Sequence, residues 1–143
     1  KLSGLKAGNR SWNIGIEAPI ENNKTNAQSI QNVFSITDCA IATSGNYRKF
    51  FEENGQLYAH TINPKTGTQN RHNLLSATVF SPSCAISDAL ATYFMVVGID
   101  AAKLFLEKNK NMGIEVYFIY SKEGKYESYC SPSLLLNQKD ANS

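Results

Sequence analysis

The alternation of hydrophobic and polar residues along the chain predicts short strands through its first half. Polar runs and turn residues separate them, including Ser44-Gly45-Asn46, Glu53-Asn54-Gly55 and the Pro- and Gly-containing segment 63–67. Residues 21–32 are polar and lack an apolar period, which is typical of a loop or a hairpin tip. Strands are predicted at 12–16, 33–42, 47–51, 57–62 and 74–80.

Two helices and a hairpin are predicted to follow. Ser83 is placed to cap a helix over 84–97 that Gly98 ends, and Asp100 is placed to cap a second helix over 101–108. An apolar strand at 114–120 and a second strand at 126–130 flank a turn, and a short helix at 133–136 precedes a polar tail. This order predicts one α+β domain, in which a largely antiparallel sheet is covered by helices.

Composition narrows the class of protein. Hydrophobic residues make up 42% of the 143 residues and charged residues 18%, which indicates a globular chain. A net charge of +2 without a basic block argues against a nucleic-acid partner. The three cysteines form no CxxC pair, so we expect small buried side chains rather than a zinc site.

The helix segment that contains Asp88 is the first candidate site. Apolar residues surround Asp88 on every side of the predicted helix, which predicts that the carboxylate is buried and therefore needs a partner. Thr92 lies one turn later on the same face, and the two oxygen donors together suit Mg²⁺ or Ca²⁺. Periodicity alone does not decide between this metal site and a carboxylate that bonds a loop backbone or caps the helix.

The second candidate is the segment from Tyr58 to Gly67, where a strand runs into a turn. Backbone N–H groups, the Thr66 hydroxyl and the Lys65 cation suit an anion, and His60 can move protons near neutral pH. Spacing alone favours a hairpin loop with a packed histidine.

The third candidate is the bend that contains Ser44, Gly45 and Tyr47. Its small residues allow a ligand to approach the backbone closely. Local sequence alone favours a simple β-bulge, and no histidine and acid accompany Ser44 in the manner of a serine nucleophile.

These segments, in this order, resemble the FAD:protein FMN transferase family, known as ApbE. The resemblance is carried by WNIGIEAP at 12–19, ATSGNYRKFF at 42–51, YAHTINPKTG at 58–67, LLSATVFSPSCAISDALAT at 74–92, and the Gly98 that follows. The turn and the helix motif in tandem are specific, whereas either alone is weak. The resemblance implies an ApbE-like, T-fold-related α+β architecture.

The resemblance also implies an activity. Family members are transferases that move FMN from FAD, their substrate, to a Thr or Ser hydroxyl of an acceptor protein and release AMP, with Mg²⁺ as cofactor. By this resemblance Asp88 and Thr92 are metal ligands, and His60 is a catalytic residue that accepts the proton of the acceptor hydroxyl. Ligand-binding positions are implied for Ser44, Gly45, Tyr47, Thr66 and Gly67. Two alternatives stay open: an FAD pyrophosphatase that yields FMN and AMP, and a non-catalytic flavin-binding module.

The resemblance further implies that the chain is part of a larger domain. Family members carry a long N-terminal half that supplies much of the FAD pocket, so we expect residues 1–143 to be the C-terminal portion and that half to be its partner. Asn46 and Asn63 stand where the family commonly has Asp, which preserves size but removes a charge. The family implies a lipid-anchored location in the bacterial cell envelope, on the periplasmic side of the inner membrane.

Overall fold

The computed structural model describes residues 1–18, 30–46, 50–53, 56–59, 64, 66–67, 72–123 and 125–139. At 50–53 and 56–59 it describes the backbone alone. The strands are β1 (Trp12–Glu17), β2 (Ile30–Ile36), β3 (Ala40–Gly45), β4 (Phe50–Glu53), β5 (Gln56–Ala59), β6 (Leu74–Ser81), β7 (Glu115–Lys122), β8 (Lys125–Cys130) and β9 (Gln138–Lys139). The helices are α1 (Cys84–Val97), α2 (Ile99–Lys108) and α3 (Pro132–Leu135), with a 3₁₀ turn at Lys110–Met112.

All strand pairs in the described residues are antiparallel, which confirms the predicted α+β class. One sheet has the order β3-β6-β7-β8, a second has the order β1-β2-β9, and β4 and β5 form a hairpin. Helix α1 packs on β3 and β6. The four-stranded sheet therefore lies between α1 and α2 on one face and the three-stranded sheet with α3 on the other.

Strand β6 is the centre of this arrangement. Its residues are almost all buried, which is expected of a strand with both faces covered. Ala77 and Val79 belong to the core under the helices, together with Phe94 and Met95 of α1. Phe80 points to the other face and joins a second core that includes Phe34, Tyr117 and Leu134. Alternate residues of one strand thus serve two cores.

Aromatic rings connect the two sheets in the second core. The Phe34 ring makes edge-on contacts with Phe80 and Tyr117, at centroid distances of 5.6 and 5.5 Å. The Tyr117 hydroxyl accepts a hydrogen bond of 2.7 Å from the Asn32 side chain. Burial raises the pKa of Tyr117, so the phenol stays neutral and its one polar atom is paired where water is excluded.

The predicted strand at 33–42 is wrong, because the chain forms two strands there in different sheets. Asp38 takes a positive φ of 49° between β2 and β3, and its carboxylate accepts a 2.7 Å bond from the Gly4 N–H. The Thr37 hydroxyl donates to the Gly4 carbonyl at 2.6 Å. Contacts with the distant N-terminal segment therefore stabilise a corner that the local sequence does not mark.

The helix predictions are confirmed in position but not in every cap. Helix α1 has the predicted bounds, yet the Ser83 side chain makes no capping bond; instead the Ser81 hydroxyl accepts from the Ser83 N–H at 3.2 Å. Helix α2 begins at Ile99, with Gly98 as its N-cap and Asp100 in its first turn. Strand β9 lies in the polar tail, where the sequence predicts no strand, and it pairs with β2.

The remaining observations concern the length of the helices and the state of the cysteines. No helix among the described residues is long and apolar enough to span a membrane.

All three cysteines are free thiols, but Cys84 is exposed, and Cys39 and Cys130 are only half-buried. The expectation that they are buried therefore fails for Cys84. Burial raises the pKa of the Cys130 thiol to about 11, so that side chain stays protonated at neutral pH.

We predict that Phe34→Ala lowers the free energy of unfolding by about 3–5 kcal/mol, because it leaves a cavity between the two sheets. Denaturant titration of the natural protein that carries these residues measures this change. Leu136→Ala is the control, since Leu136 is 88% exposed and its truncation should change stability by less than about 0.5 kcal/mol. Equal effects of the two substitutions would contradict the assignment of Phe34 to the core.

Candidate functional site

Two of the three candidate segments identified from the sequence meet at one end of the four-stranded sheet. The bend after β3 is joined to the start of β6 by a 2.9 Å bond from the Asn46 N–H to the Leu75 carbonyl. Helix α1 returns across these two strands. The β3 bend and the α1 motif, separated in the sequence by the turn motif, therefore lie side by side.

Ser44 and Thr92 are the residues through which the bend and the helix meet. Ser44 lies on the same face of β3 as Ala42, which packs against the core under α1. Its Oγ is 3.2 Å from Thr92 Oγ1, and the two hydroxyls share a hydrogen bond. A predicted ligand-binding residue and a predicted metal ligand are thus in direct contact.

The predicted burial of Asp88 is wrong within this chain. Asp88 and Thr92 are both exposed, because α1 packs on the sheet through a single face. The other face carries small and apolar side chains around them, which is why the sequence resembles that of a fully buried helix. Asp88 and Thr92 lie one turn apart on that exposed face, as their spacing predicts.

A buried group of serine hydroxyls fixes α1 on the sheet. Ser87, which precedes Asp88, is fully buried and donates a 3.2 Å bond to the Ala40 carbonyl at the start of β3. The Ser87 and Ser81 Oγ atoms are 2.8 Å apart, and Ser81 also bonds the Ser83 carbonyl at 2.8 Å. These bonds set the position of Asp88 relative to β3.

The structure describes only some of the remaining predicted site residues. Gly45 is exposed at the end of β3, opposite Ser76 of β6. Thr66 and Gly67 lie in an exposed turn, where Gly67 has a φ of 66°, a conformation that favours glycine. Tyr47 and His60 lie outside the described residues, so their assignments stay predictions.

The donors at this surface suit a hard cation that prefers oxygen ligands. Within the described part of the chain, no group of three or more His, Cys, Asp or Glu side chains is arranged to hold a metal. Asp88, Thr92 and Ser44 instead offer one carboxylate and two hydroxyls, which are hard oxygen donors. Mg²⁺ is commonly held by one or two carboxylates, with water and substrate phosphates completing its shell. The residues present therefore fit Mg²⁺ bound together with a phosphate-containing ligand.

Comparison with known proteins identifies the family. The model of the ApbE family matches residues 1–118, which include most of the two sheets, α1 and α2. The chain belongs to the ApbE family. Two relatives named FAD:protein FMN transferase are similar to it over nearly its whole length. The Vibrio cholerae relative is 36% identical over 93% of this chain, and the Escherichia coli K12 relative is 34% identical over 96%.

A solved structure supports the same family. The ApbE protein of Thermotoga maritima superimposes with a TM-score of 0.74 at 28% identity and covers 96% of this chain. The chain spans only 41% of that protein and 38% of the Vibrio cholerae and Escherichia coli relatives. The ApbE fold is therefore shown for this chain, and the match covers a part of each relative.

The structure adds residues that the sequence did not single out. Ser87 stood next to Asp88 in the helix motif, but only its burial shows that it anchors the helix. His72, which precedes β6, bonds the C-terminal end of α1. The signal in the sequence is a histidine in a polar segment directly before a buried strand.

We predict that Ser87→Ala lowers the free energy of unfolding by about 1–3 kcal/mol, because partners of the buried hydroxyl lose a hydrogen bond. Ser133→Ala, on the exposed surface of α3, is the control and should be nearly neutral. Denaturant unfolding of both variants measures the difference. A neutral Ser87→Ala variant would show that the hydroxyl group does not anchor α1.

Proposed function

We propose that this chain is the part of an FAD:protein FMN transferase that holds the catalytic metal. The observation that carries the proposal is the group formed by Asp88 and Thr92, which are exposed, and Ser44, which is half-buried, in a chain of the ApbE family. The relatives' name supplies FAD as the substrate and a protein as the acceptor. We further propose that the acceptor group is a Thr or Ser hydroxyl and that AMP is the leaving group.

Mg²⁺ is the proposed cofactor, with Asp88 and Thr92 as the ligands that this chain provides. When bound, the ion would neutralise negative charge on the pyrophosphate of FAD. The contact between Thr92 and Ser44 supports this role of the threonine. If Thr92 donates its hydrogen to Ser44, the lone pairs of Thr92 Oγ1 are left to face a cation.

The proposed reaction is one phosphoryl transfer. The acceptor hydroxyl oxygen forms a bond to the phosphorus of the FMN portion, while the bond between that phosphorus and the bridging oxygen breaks. AMP leaves with the electron pair of the broken bond. His60 is the proposed acceptor of the hydroxyl proton, in line with the resemblance of its segment to the family turn. Ser44, Gly45, Tyr47, Thr66 and Gly67 are the proposed contacts to the flavin nucleotide.

The exposed face of α1 supports a second part of the proposal, namely that the site is completed by the N-terminal half of an ApbE-type protein. Ile86 and Tyr93 are 39% and 42% exposed on the face of α1 that also carries Asp88 and Thr92. A helix that is hydrophobic all round is normally covered on all sides. The curated relatives are much longer than this chain, so we propose that their additional half corresponds to the missing cover.

We predict that Asp88→Asn reduces flavin transfer by about 100-fold or more in the natural full-length protein, because a metal ligand loses its charge. Incubation with FAD, Mg²⁺ and a candidate acceptor, followed by in-gel flavin fluorescence, measures transfer. Mn²⁺ titration followed by electron paramagnetic resonance measures metal binding independently.

Asp100→Asn is the matched control, since Asp100 is also exposed but lies on α2. It should leave both transfer and Mn²⁺ affinity unchanged. Full activity of Asp88→Asn would overturn the metal assignment. Release of AMP by the wild-type protein without labelling of any acceptor would identify a pyrophosphatase instead.

We also predict that His60→Ala slows flavin transfer at neutral pH by about 100-fold or more, because the acceptor hydroxyl loses its proton acceptor. Mn²⁺ affinity should stay at the wild-type value, which separates proton transfer from metal binding. An unchanged initial rate of acceptor labelling in this variant would remove His60 from the mechanism.

A further inference from the structure

His72 lies between the turn motif and β6, and both nitrogens of its ring are engaged. Nε2 is 2.6 Å from the Met95 carbonyl oxygen in the last turn of α1. Nδ1 is 3.3 Å from the backbone nitrogen of Leu74, the first residue of β6. The half-buried ring therefore bridges the start of a central strand and the end of the helix that carries Asp88 and Thr92.

These two partners determine which ring nitrogen holds the hydrogen. The Met95 carbonyl can only accept, so Nε2 must donate to it. The Leu74 N–H can only donate, so Nδ1 must present its lone pair. A neutral imidazole with its hydrogen on Nε2 satisfies both bonds. The other neutral tautomer satisfies neither bond, and the imidazolium loses the bond from Leu74.

The end of α1 is shaped to receive this ring. The Met95 carbonyl is one of the last four of the helix, which lack a partner within it, and His72 supplies one. Gly98, which ends the helix with a φ of 82°, lies against this side chain, and a Cβ there would be 3.3 Å from the Cβ of His72 and from two carbons of its ring. A larger residue at Gly98 would therefore both strain the backbone and press on His72.

We infer that His72 is a positioning residue that ties the chain leaving the turn motif to the C-terminal end of α1. Thr66 and Gly67 of the turn lie a few residues before His72 in the sequence, and Thr92 lies less than one turn before Met95. The bond from Nε2 to Met95 thus connects the two segments that contribute predicted ligand contacts and metal ligands. This inference rests on the proposed function for its effect on catalysis, but its structural content does not.

Two substitutions separate the two bonds of the ring. In His72→Gln the side-chain N–H₂ can replace Nε2 as donor to Met95, whereas the acceptor for Leu74 is lost. In His72→Asn the side-chain oxygen can accept from the Leu74 N–H in an Asx turn, but the side chain is too short to reach Met95. We predict that kcat for flavin transfer falls about 10- to 100-fold in His72→Asn and stays within about threefold of wild type in His72→Gln.

The experiment uses the natural full-length protein at a temperature where thermal unfolding shows all variants to be folded. Equal kcat values for the Gln and Asn variants, or a fully active Asn variant, would overturn the positioning role. Nitrogen-15 NMR correlation of the His72 ring at pH 8 provides a readout that does not depend on activity. We expect the hydrogen on Nε2, and a hydrogen on Nδ1 would overturn the inference. Absence of flavin transfer by wild type, with the expected tautomer present, would refute the proposed function alone.

Discussion

The burial of β6 on both of its faces is the constraint on which the rest of the structure depends. A strand in this position needs a hydrophobic cover on each side, and the chain supplies α1 on one side and the sheet containing Phe34 on the other. Because β6 pairs with β3 and β7 as well, its backbone is also enclosed. The candidate site lies where this rigid centre ends, so its side chains project from elements that cannot easily move.

Much of the fold was predictable wherever the evidence for an element is local. Helix α1 was placed correctly because a long apolar segment lies between Ser83 and Gly98. The corner at Asp38 and strand β9 were missed for the opposite reason. Asp38 is held by the N–H of Gly4, and Gln138 pairs with Phe34, so both depend on residues far away in the sequence. The sequence around Asp38 or around Gln138 does not reveal these long-range contacts.

For the candidate site as well, the features with local causes were predictable and those that depend on long-range contacts were not. The pattern of the helix motif placed Asp88 and Thr92 on one face, and this placement is confirmed. Their exposure was not predicted. An apolar helix surface indicates that the helix is covered, but it does not indicate which segment of the protein covers it. The contact between Ser44 and Thr92, and the bonds of His72, join positions that are distant in the sequence. They become visible only when the strands and the helix are assembled.

The buried hydroxyl of Ser87 has a consequence for how α1 can respond to a ligand. A helix that lies on a sheet through hydrocarbon contacts alone can slide along its axis by exchanging one apolar neighbour for another. Sliding here would separate Ser87 from the Ala40 carbonyl and from Ser81, leaving polar groups unpaired in a dry interface. Helix α1 is thereby locked in register with β3, so any adjustment of the site to a ligand must come from side-chain rotation or from the loops.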